Sequence, residues 1–332
     1  MNLLTSDINP PWRPTASIEV LRRRGELTWR LRQFFHQRDI LEVHTPTLCH
    51  DTVVDRHIEP IALPGKALGL AELADDTLFL QTSPEFCMKR LVAAGMPAIY
   101  QIGPVYRGGE SGNFHNPEFT MVEWYRVGDN LTQAVQLLSE LVVAALGVSP
   151  PHQQTYQAAF QQYAQLDPLA CPISELARCA VDRNLGVGLD WSQDRDDWLN
   201  LIFSDVIQPQ LGHNLPTIIT HYPASQSALA RLSSQDARTA ERFELFIHGI
   251  ELANGYNELT DASELVHRNQ TTNRQRLDDG HRALPEQSYL IDAMQATFPA
   301  CSGCALGLDR LLMVAEGITD IDRVISFPIS RA

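Results

Sequence analysis

Arginines and carboxylates set among apolar residues are the first features of this sequence to explain, because a buried charge is costly unless it meets an opposite charge, a metal or a ligand. Three segments carry them. Tyr106-Arg107 closes an apolar run just before Gly108-Gly109-Glu110-Ser111-Gly112-Asn113. A planar guanidinium at the edge of a flexible loop can grip a phosphate or a carboxylate. Glu244, Glu251 and Glu258 recur through the apolar stretch RFELFIHGIELANGYNEL, where ionised carboxylates call for a metal ion or a cationic group. Strict alternation puts Asn254, Tyr256 and Glu258 on one strand face and Glu251 on the other. A site shared by all four then needs a β-bulge between them; the competing reading makes Asn254-Gly255 a hairpin turn. The third segment is Ser302-Gly303-Cys304-Ala305-Leu306-Gly307-Leu308-Asp309-Arg310. Its small residues allow close backbone approach and leave Arg310 at the start of a helix.

A fourth run, Asn116–Tyr125, alternates well. Phe119, Met121, Glu123 and Tyr125 share one strand face, and Thr120, Val122 and Trp124 the other. An acid and a phenol beside an aromatic ring are unusual for a core face. Some apparent motifs carry less. Cys301 and Cys304 form a CxxC without a second pair or a histidine at zinc spacing, which suits buried thiols. The loop at 108–112 lacks the Gly-Lys-Ser/Thr ending of a phosphate-binding P-loop. His115 has the chemistry of a general base, but a structural hydrogen bonder fits its place after a loop equally well.

These residues need elements to hold them. From Ile18 to about Arg38, Leu27, Leu31, Phe34 and Phe35 fall at helical spacing, which predicts an amphipathic helix; a short alternating run then ends at Pro46. Residues 131–212 read as mostly helical, with candidates at 131–146, 156–166, 173–184 and 194–208. Strand patterns return at 217–222 and 242–259, and helices at 263–279 and 286–297. There is no internal repeat and no linker rich in Pro, Gly or Ser. One domain is therefore expected, after a loose arm over residues 1–16.

Composition bounds the rest. With 44 % hydrophobic and 20 % charged residues, the 332-residue chain can bury a core, which excludes global disorder. A net charge of −14 argues against a life on nucleic-acid phosphates. Six scattered cysteines, no basic-then-apolar leader and no apolar run long enough for a bilayer together predict a soluble, cytoplasmic protein without membrane contact. Lys66 and Lys89 are the only lysines; every other basic residue is arginine.

Taken in order, the segments resemble the three signature motifs of class II aminoacyl-tRNA synthetases. The first helix, the short strand and Pro46 resemble motif 1, which builds the dimer interface in that class. Tyr106-Arg107, the loop and His115-Asn116-Pro117-Glu118-Phe119-Thr120-Met121 resemble motif 2, and Gly303 to Arg310 resembles motif 3. Ser83-Pro84-Glu85, Met88-Lys89-Arg90, the HNPEFT run and Asn254-Gly255-Tyr256-Asn257-Glu258-Leu259 are similar to the lysine-specific branch. A lysyl-tRNA synthetase carries an OB-fold anticodon-binding domain ahead of motif 1. Only about sixteen residues stand there in this sequence, so no such domain is expected. Ala305 replaces the glycine of that synthetase. With Met121–Arg126, Tyr222–Gln226 and Gly249–Asn254, the chain is identified as a member of the stand-alone paralogues known as the EpmA (PoxA or GenX) family.

That resemblance implies an α+β fold over residues 17–332, with an antiparallel sheet flanked by helices and residues 131–212 as a helical insertion between motifs 2 and 3. It implies an ATP-dependent, AMP-forming ligase that activates (R)-β-lysine as an aminoacyl-adenylate and passes it to a lysine of translation elongation factor P. A homodimer and the use of Mg²⁺ are also implied, and tRNA is disfavoured. Carried over residue by residue, Arg107 would hold the α-phosphate and Arg310 the γ-phosphate of a bent ATP. Phe119 would stack on adenine, with Gly108, Gly109, Glu110, Asn116, Leu252 and Gly307 completing the nucleotide site. Glu251, with Glu244, would hold Mg²⁺. Ser83, Pro84, Glu85, Glu123, Tyr125, Asn254, Tyr256, Glu258 and Ala305 would form the amino-acid pocket, its acids facing two ammonium groups. The family has Arg-x-Glu in motif 2, whereas here the glutamate position is Gly109 and Glu110 follows one residue later. The alternative is a catalytically silent synthetase-like protein that regulates a partner or senses amino acids, but such proteins typically lose the arginines and metal acid retained here.

Overall fold

The computed structural model describes residue 10 and residues 12–332. Residues 1–9 and 11 of the expected arm lie outside the described residues. The arm's last part is tied to the C-terminal segment, where the Thr15 amide donates to the Ser326 carbonyl at 3.0 Å. Helix α1 (Ile18–His36) follows as expected: Ser17 caps it by accepting from the Val20 amide, and Leu27, Leu31, Phe34 and Phe35 form its buried stripe. Strands β1 (Leu41–Glu42), β2 (Leu48–Cys49), β3 (Ala62–Pro64) and β4 (Thr77–Leu80) lead to helix α2 (Glu85–Ala93). The motif 2 hairpin is β5 (Ala98–Tyr106) and β6 (Glu118–Val127), paired in unbroken antiparallel register from Ala98 with Arg126 to Tyr106 with Glu118.

The segment 131–212 divides between two layers. Helix α3 (Leu131–Leu146) carries a complete capping box, Asn130 with Gln133, and packs in the main core beside α1. Strand β7 (His152–Thr155) joins the sheet, and α4 (Tyr156–Tyr163), α5 (Ile173–Asp182) and α6 (Arg195–Ile202) enclose a second core around Phe160, Trp198 and Phe246. After Ile202 the helix widens over Phe203–Ile207 and tightens over Gln208–Gln210, so the helix expected to 208 is present but regular only as far as Ile202.

Strand β8 (Thr217–Pro223) precedes β9 (Thr239–Ile247) and β10 (Ile250–Asn257), then α7 (Ala262–Asp278), α8 (Tyr289–Ala296), β11 (Cys301–Gly307) and α9 (Leu308–Glu316). The strand expected over 242–259 is thus a hairpin, and the turn is His248-Gly249. Both residues have positive φ, 52° and 74°, as a tight two-residue turn between twisted strands requires. The reading of Asn254-Gly255 as that turn is overturned: both lie inside β10, paired with Glu244 and Phe243. Among the described residues, eight strands form one sheet in the order β1-β5-β6-β11-β10-β9-β8-β7, antiparallel except at its two ends. This is the α+β sheet that the motifs implied. Helices α1, α3 and α9 bury one face of the sheet. On the other face, α2 covers one end and α4–α6 the other, leaving the middle open.

Candidate active site

A cavity of about 920 Å³ occupies that open middle. Its floor comes from β6, β11, β10 and β9. Alternation on β6 sends Phe119, Met121, Glu123 and Tyr125 into it, while Val122 and Trp124 enter the core beneath. The floor of β11 must be bare: a Cβ on Gly303 would collide with the Tyr125 ring and the Glu258 carboxylate. On β10 the bulge is real. Pairing with β9 slips between Glu251 and Ala253, and Leu252 and Ala253 both turn to the core. Glu251 therefore reaches the same face as Asn254 and Tyr256, opposite Phe246 and two cross-strand pairs from Glu244.

The cavity has an anionic end and a mixed end. At the anionic end, Glu123 is 1 % exposed and held twice: Tyr125 donates to its Oε1 at 2.6 Å and Ser83 Oγ to its Oε2 at 2.8 Å. Burial pushes its carboxyl up to about 7, with the charge of Glu85 adding to the effect. Glu85 opens α2 and Glu258 follows β10; both line the same pocket. Burial pushes the Glu258 carboxyl up as well, to about 8. A cluster of carboxylates this poorly solvated is poised to ionise when an ammonium group arrives.

The mixed end pairs arginines with acids. Arg242 Nη2 lies 2.5 Å from Glu244 Oε1, and Tyr222 donates to the other oxygen at 2.5 Å. Burial, and after it the charge of Glu244, pushes Glu251 up to about 7. Arg310 donates to the Glu251 carbonyl at 3.1 Å and sits 2.8 Å from His115 Nε2. Burial and then Arg310 push the His115 ring below its ordinary range, which keeps it neutral and able to accept that bond. Asp309 fixes the start of α9, accepting from the Thr120 amide at 2.6 Å and pairing with Arg24 of α1 at 2.5 Å. Arg107 stacks over Phe119 with its guanidinium carbon 5.1 Å from the ring centre, and its buried Nε has no hydrogen-bond partner.

The fold thus collects Ser83, Glu85, Arg107, Glu110, Asn116, Phe119, Glu123 and Tyr125 around one cavity with Glu244, Glu251, Leu252, Asn254, Tyr256, Glu258, Ala305, Gly307 and Arg310. Pro84, Gly108 and Gly109 stay outside its lining. Pro84 caps α2, the Gly108 amide donates to the Glu59 carbonyl at 2.7 Å, and Gly109 turns the loop at φ 77°. Glu110 does turn inward and lies 3.5 Å from Arg107. Asn116 is engaged by the chain itself, donating to the Glu118 carbonyl and accepting from the Ile329 amide at 3.0 Å.

The family description "tRNA synthetases class II (D, K and N)" matches residues 11–331. The chain belongs to the class II tRNA synthetase family. Within the wider set of similar proteins, an elongation factor P–(R)-β-lysine ligase of Salmonella arizonae is 41 % identical over 97 % of this chain and 98 % of its own length. Proteins with the same description from Yersinia enterocolitica and Vibrio cholerae are each 42 % identical, over 97 % and 98 % of this chain and 98 % and 99 % of theirs.

Several groups at this class II site were not singled out from the sequence as functional. Lys89, Arg242 and Tyr222 carry or shield charge there. The segment 131–212 also supplies wall residues, among them Tyr156, Asp196 and Asn200. The signal for Arg242 was present, since it stands two residues before Glu244 on an alternating strand; nothing local marks the helical residues, which reach the site only through the tertiary fold.

Proposed function

We propose that this protein is an ATP-dependent ligase that activates (R)-β-lysine and transfers it to a lysine side chain of elongation factor P. The observation that carries the reading is one cavity joining a buried carboxylate cluster to an arginine-bearing end, in a chain more than 40 % identical along nearly its whole length to ligases of that description. A substrate with two ammonium groups fits Glu85, Glu123 and Glu258. Its carboxylate then faces the end holding Arg107 and Arg310.

Attack of that carboxylate on the ATP α-phosphate, which expels pyrophosphate, needs charge neutralisation and in-line positioning more than proton transfer. Arg107 has the free Nε and the location for the α-phosphate, and Arg310 extends from α9 toward the outer phosphates. Phe119 offers a flat apolar face to the base, and Glu110 replaces the motif 2 glutamate absent at Gly109 by turning in from the next position. Mg²⁺ is commonly held by one or two carboxylates plus substrate phosphates; Glu251 and Glu244, which line the same cavity as Arg107 and Arg310, are the pair that would hold it. When bound, the ion would draw charge from the phosphates. The acyl group then passes to an acceptor amine at the open mouth: the amide bond forms, the acyl–phosphate bond breaks, AMP leaves and the amine's proton goes to solvent; the relatives' description supplies elongation factor P as the acceptor.

A homodimer through α1 is supported by its outward stripe, where Ile18 and Trp29 are each 61 % exposed. No helix among the described residues is long and apolar enough to cross a membrane. The catalytic step is tested by amino-acid-dependent exchange of pyrophosphate into ATP. Exchange is expected with (R)-β-lysine, to fall by roughly a hundredfold or more in R310A. No exchange with any diamino acid would favour the silent regulatory alternative.

A further inference from the structure

Lys89, on α2, is a fourth charged member of the carboxylate cluster. It is 2 % exposed, and its Nζ lies 2.5 Å from Glu85 Oε1 and 2.6 Å from Glu258 Oε2. Its cationic end sits 5.9 Å from the centre of the Tyr125 ring. The far oxygen of Glu258, Oε1, is buried with no hydrogen-bond partner and points at Gly303 on the pocket floor. A buried ion pair of this kind adds little net stability over an apolar packing of the same volume, because desolvation offsets the attraction. Its presence beside a substrate pocket calls for another explanation.

We propose that Lys89 is a specificity-determining residue: a resident ammonium group that neutralises one of three pocket carboxylates, so that the remaining charge matches a substrate with two ammonium groups. The proposal rests on the amino-acid-activating reading above. Glu85, Glu123 and Glu258 carry three negative charges and Lys89 one positive charge, leaving two. A doubly cationic chain brings the buried cluster to neutrality. A singly cationic one leaves a desolvated carboxylate unpaired, or forces it to take up a proton. Without Lys89, the same proton is required even for the correct substrate.

The groups facing Lys89 are few. Glu85 comes from its own helix, Glu123 and Tyr125 from β6, Glu258 from the end of β10 and Cys301 from β11. Arg231 reaches the Glu258 carbonyl from the loop after β8. Burial raises the Glu258 carboxyl, Lys89 pulls it down, and Glu85 and Glu123 push it up. Although burial opposes its charge, Glu258 and Glu85 hold the Lys89 ammonium well above its ordinary range. It is thereby kept protonated and non-nucleophilic beside an activated acyl group.

The test compares pyrophosphate exchange by the full-length wild type, K89M and K89R between about pH 6 and pH 9, with (R)-β-lysine and with 3-aminohexanoate, which lacks the second ammonium group. In the wild type, KM for (R)-β-lysine should fall as pH rises through the ionisation of Glu258. In K89M that fall should move to higher pH by about one unit, raising KM about tenfold near neutrality with little change in kcat. The preference for (R)-β-lysine over 3-aminohexanoate should widen, because the singly cationic substrate then leaves two unpaired charges instead of one, and K89R should restore both properties. If K89M does not fold, K89Q removes the charge with polar contacts kept and carries the same expectation. An unchanged KM–pH profile and substrate ratio in the charge-removing variant overturns the proposal while leaving the ligase reading intact. A uniform loss of kcat for both substrates, not rescued by K89R, overturns it too, as a purely structural role. A wild type inert toward (R)-β-lysine overturns the ligase reading and this proposal with it.

Discussion

At the residue scale, Ala305 stands on β11 opposite Glu123 on one side and Asn254 on the other, its methyl lining the cavity between the two. Under the proposed ligase function, that methyl would take the space an α-amino group needs and leave room for an amine one carbon further along the chain. One methyl group discriminates by about 1–3 kcal/mol. The A305G variant should therefore gain α-lysine activation relative to (R)-β-lysine, read as the ratio of kcat/KM values for pyrophosphate exchange. An unchanged ratio would make Ala305 only a small residue that the floor tolerates. The same scale shows what sequence could and could not display. The acids and arginines announced themselves by standing in apolar runs, and alternation placed Glu123 with Tyr125 correctly. Lys89 did not, because a lysine on a helix ordinarily points to solvent, and only the packing of α2 against β6 turns it inward.

At the scale of elements, the site depends on a one-residue irregularity. Leu252 is the extra residue of β10; it lets Leu252 and Ala253 both face the core while Glu251 and Asn254 both face the cavity. Deleting Leu252 leaves Glu251 and Asn254 two positions apart, on one face of a regular strand. That variant should keep the far-UV circular dichroism of a folded protein and retain most of its exchange activity. Loss of exchange in a folded variant would show that the bulge does more than bring these groups to one face. The need for a bulge was readable from the sequence, because four polar residues of mixed parity had to share a face. Its neighbour, the His248-Gly249 turn, was hidden because its two residues sit in a continuous apolar run and only their positive φ values mark them. The segment 131–212 gave up its helices readily, since Asn130 with Gln133 and the spacing of Leu137, Leu138 and Leu141 are local signals. Its edge strand His152–Thr155 carried none; that strand exists through pairing with β8.

At the scale of the whole molecule, two faces remain open to partners. One is the outward stripe of α1, and α1 also reaches the site, through Arg24 and Asp309 to the start of the helix that bears Arg310. Sedimentation equilibrium should give a dimer for the wild type and a monomer for W29E, because the proposed interface would bury that carboxylate against apolar surface at a cost of several kcal/mol. A dimeric W29E would place any self-association elsewhere. The other face is the cavity mouth, where the helical segment and the loop Val53–Ile58 form the rim.

The most direct measurement follows a labelled amino acid from ATP-dependent activation to its acceptor. The protein is incubated with ATP, Mg²⁺ and labelled (R)-β-lysine, with and without elongation factor P, and AMP and protein-bound label are counted together. The expected result is AMP release matched by label on a single lysine of elongation factor P, far exceeding label on Lys66 or Lys89 of the enzyme. AMP release with no label on elongation factor P would contradict the proposed acceptor, and the absence of AMP with any diamino acid would contradict the ligase itself.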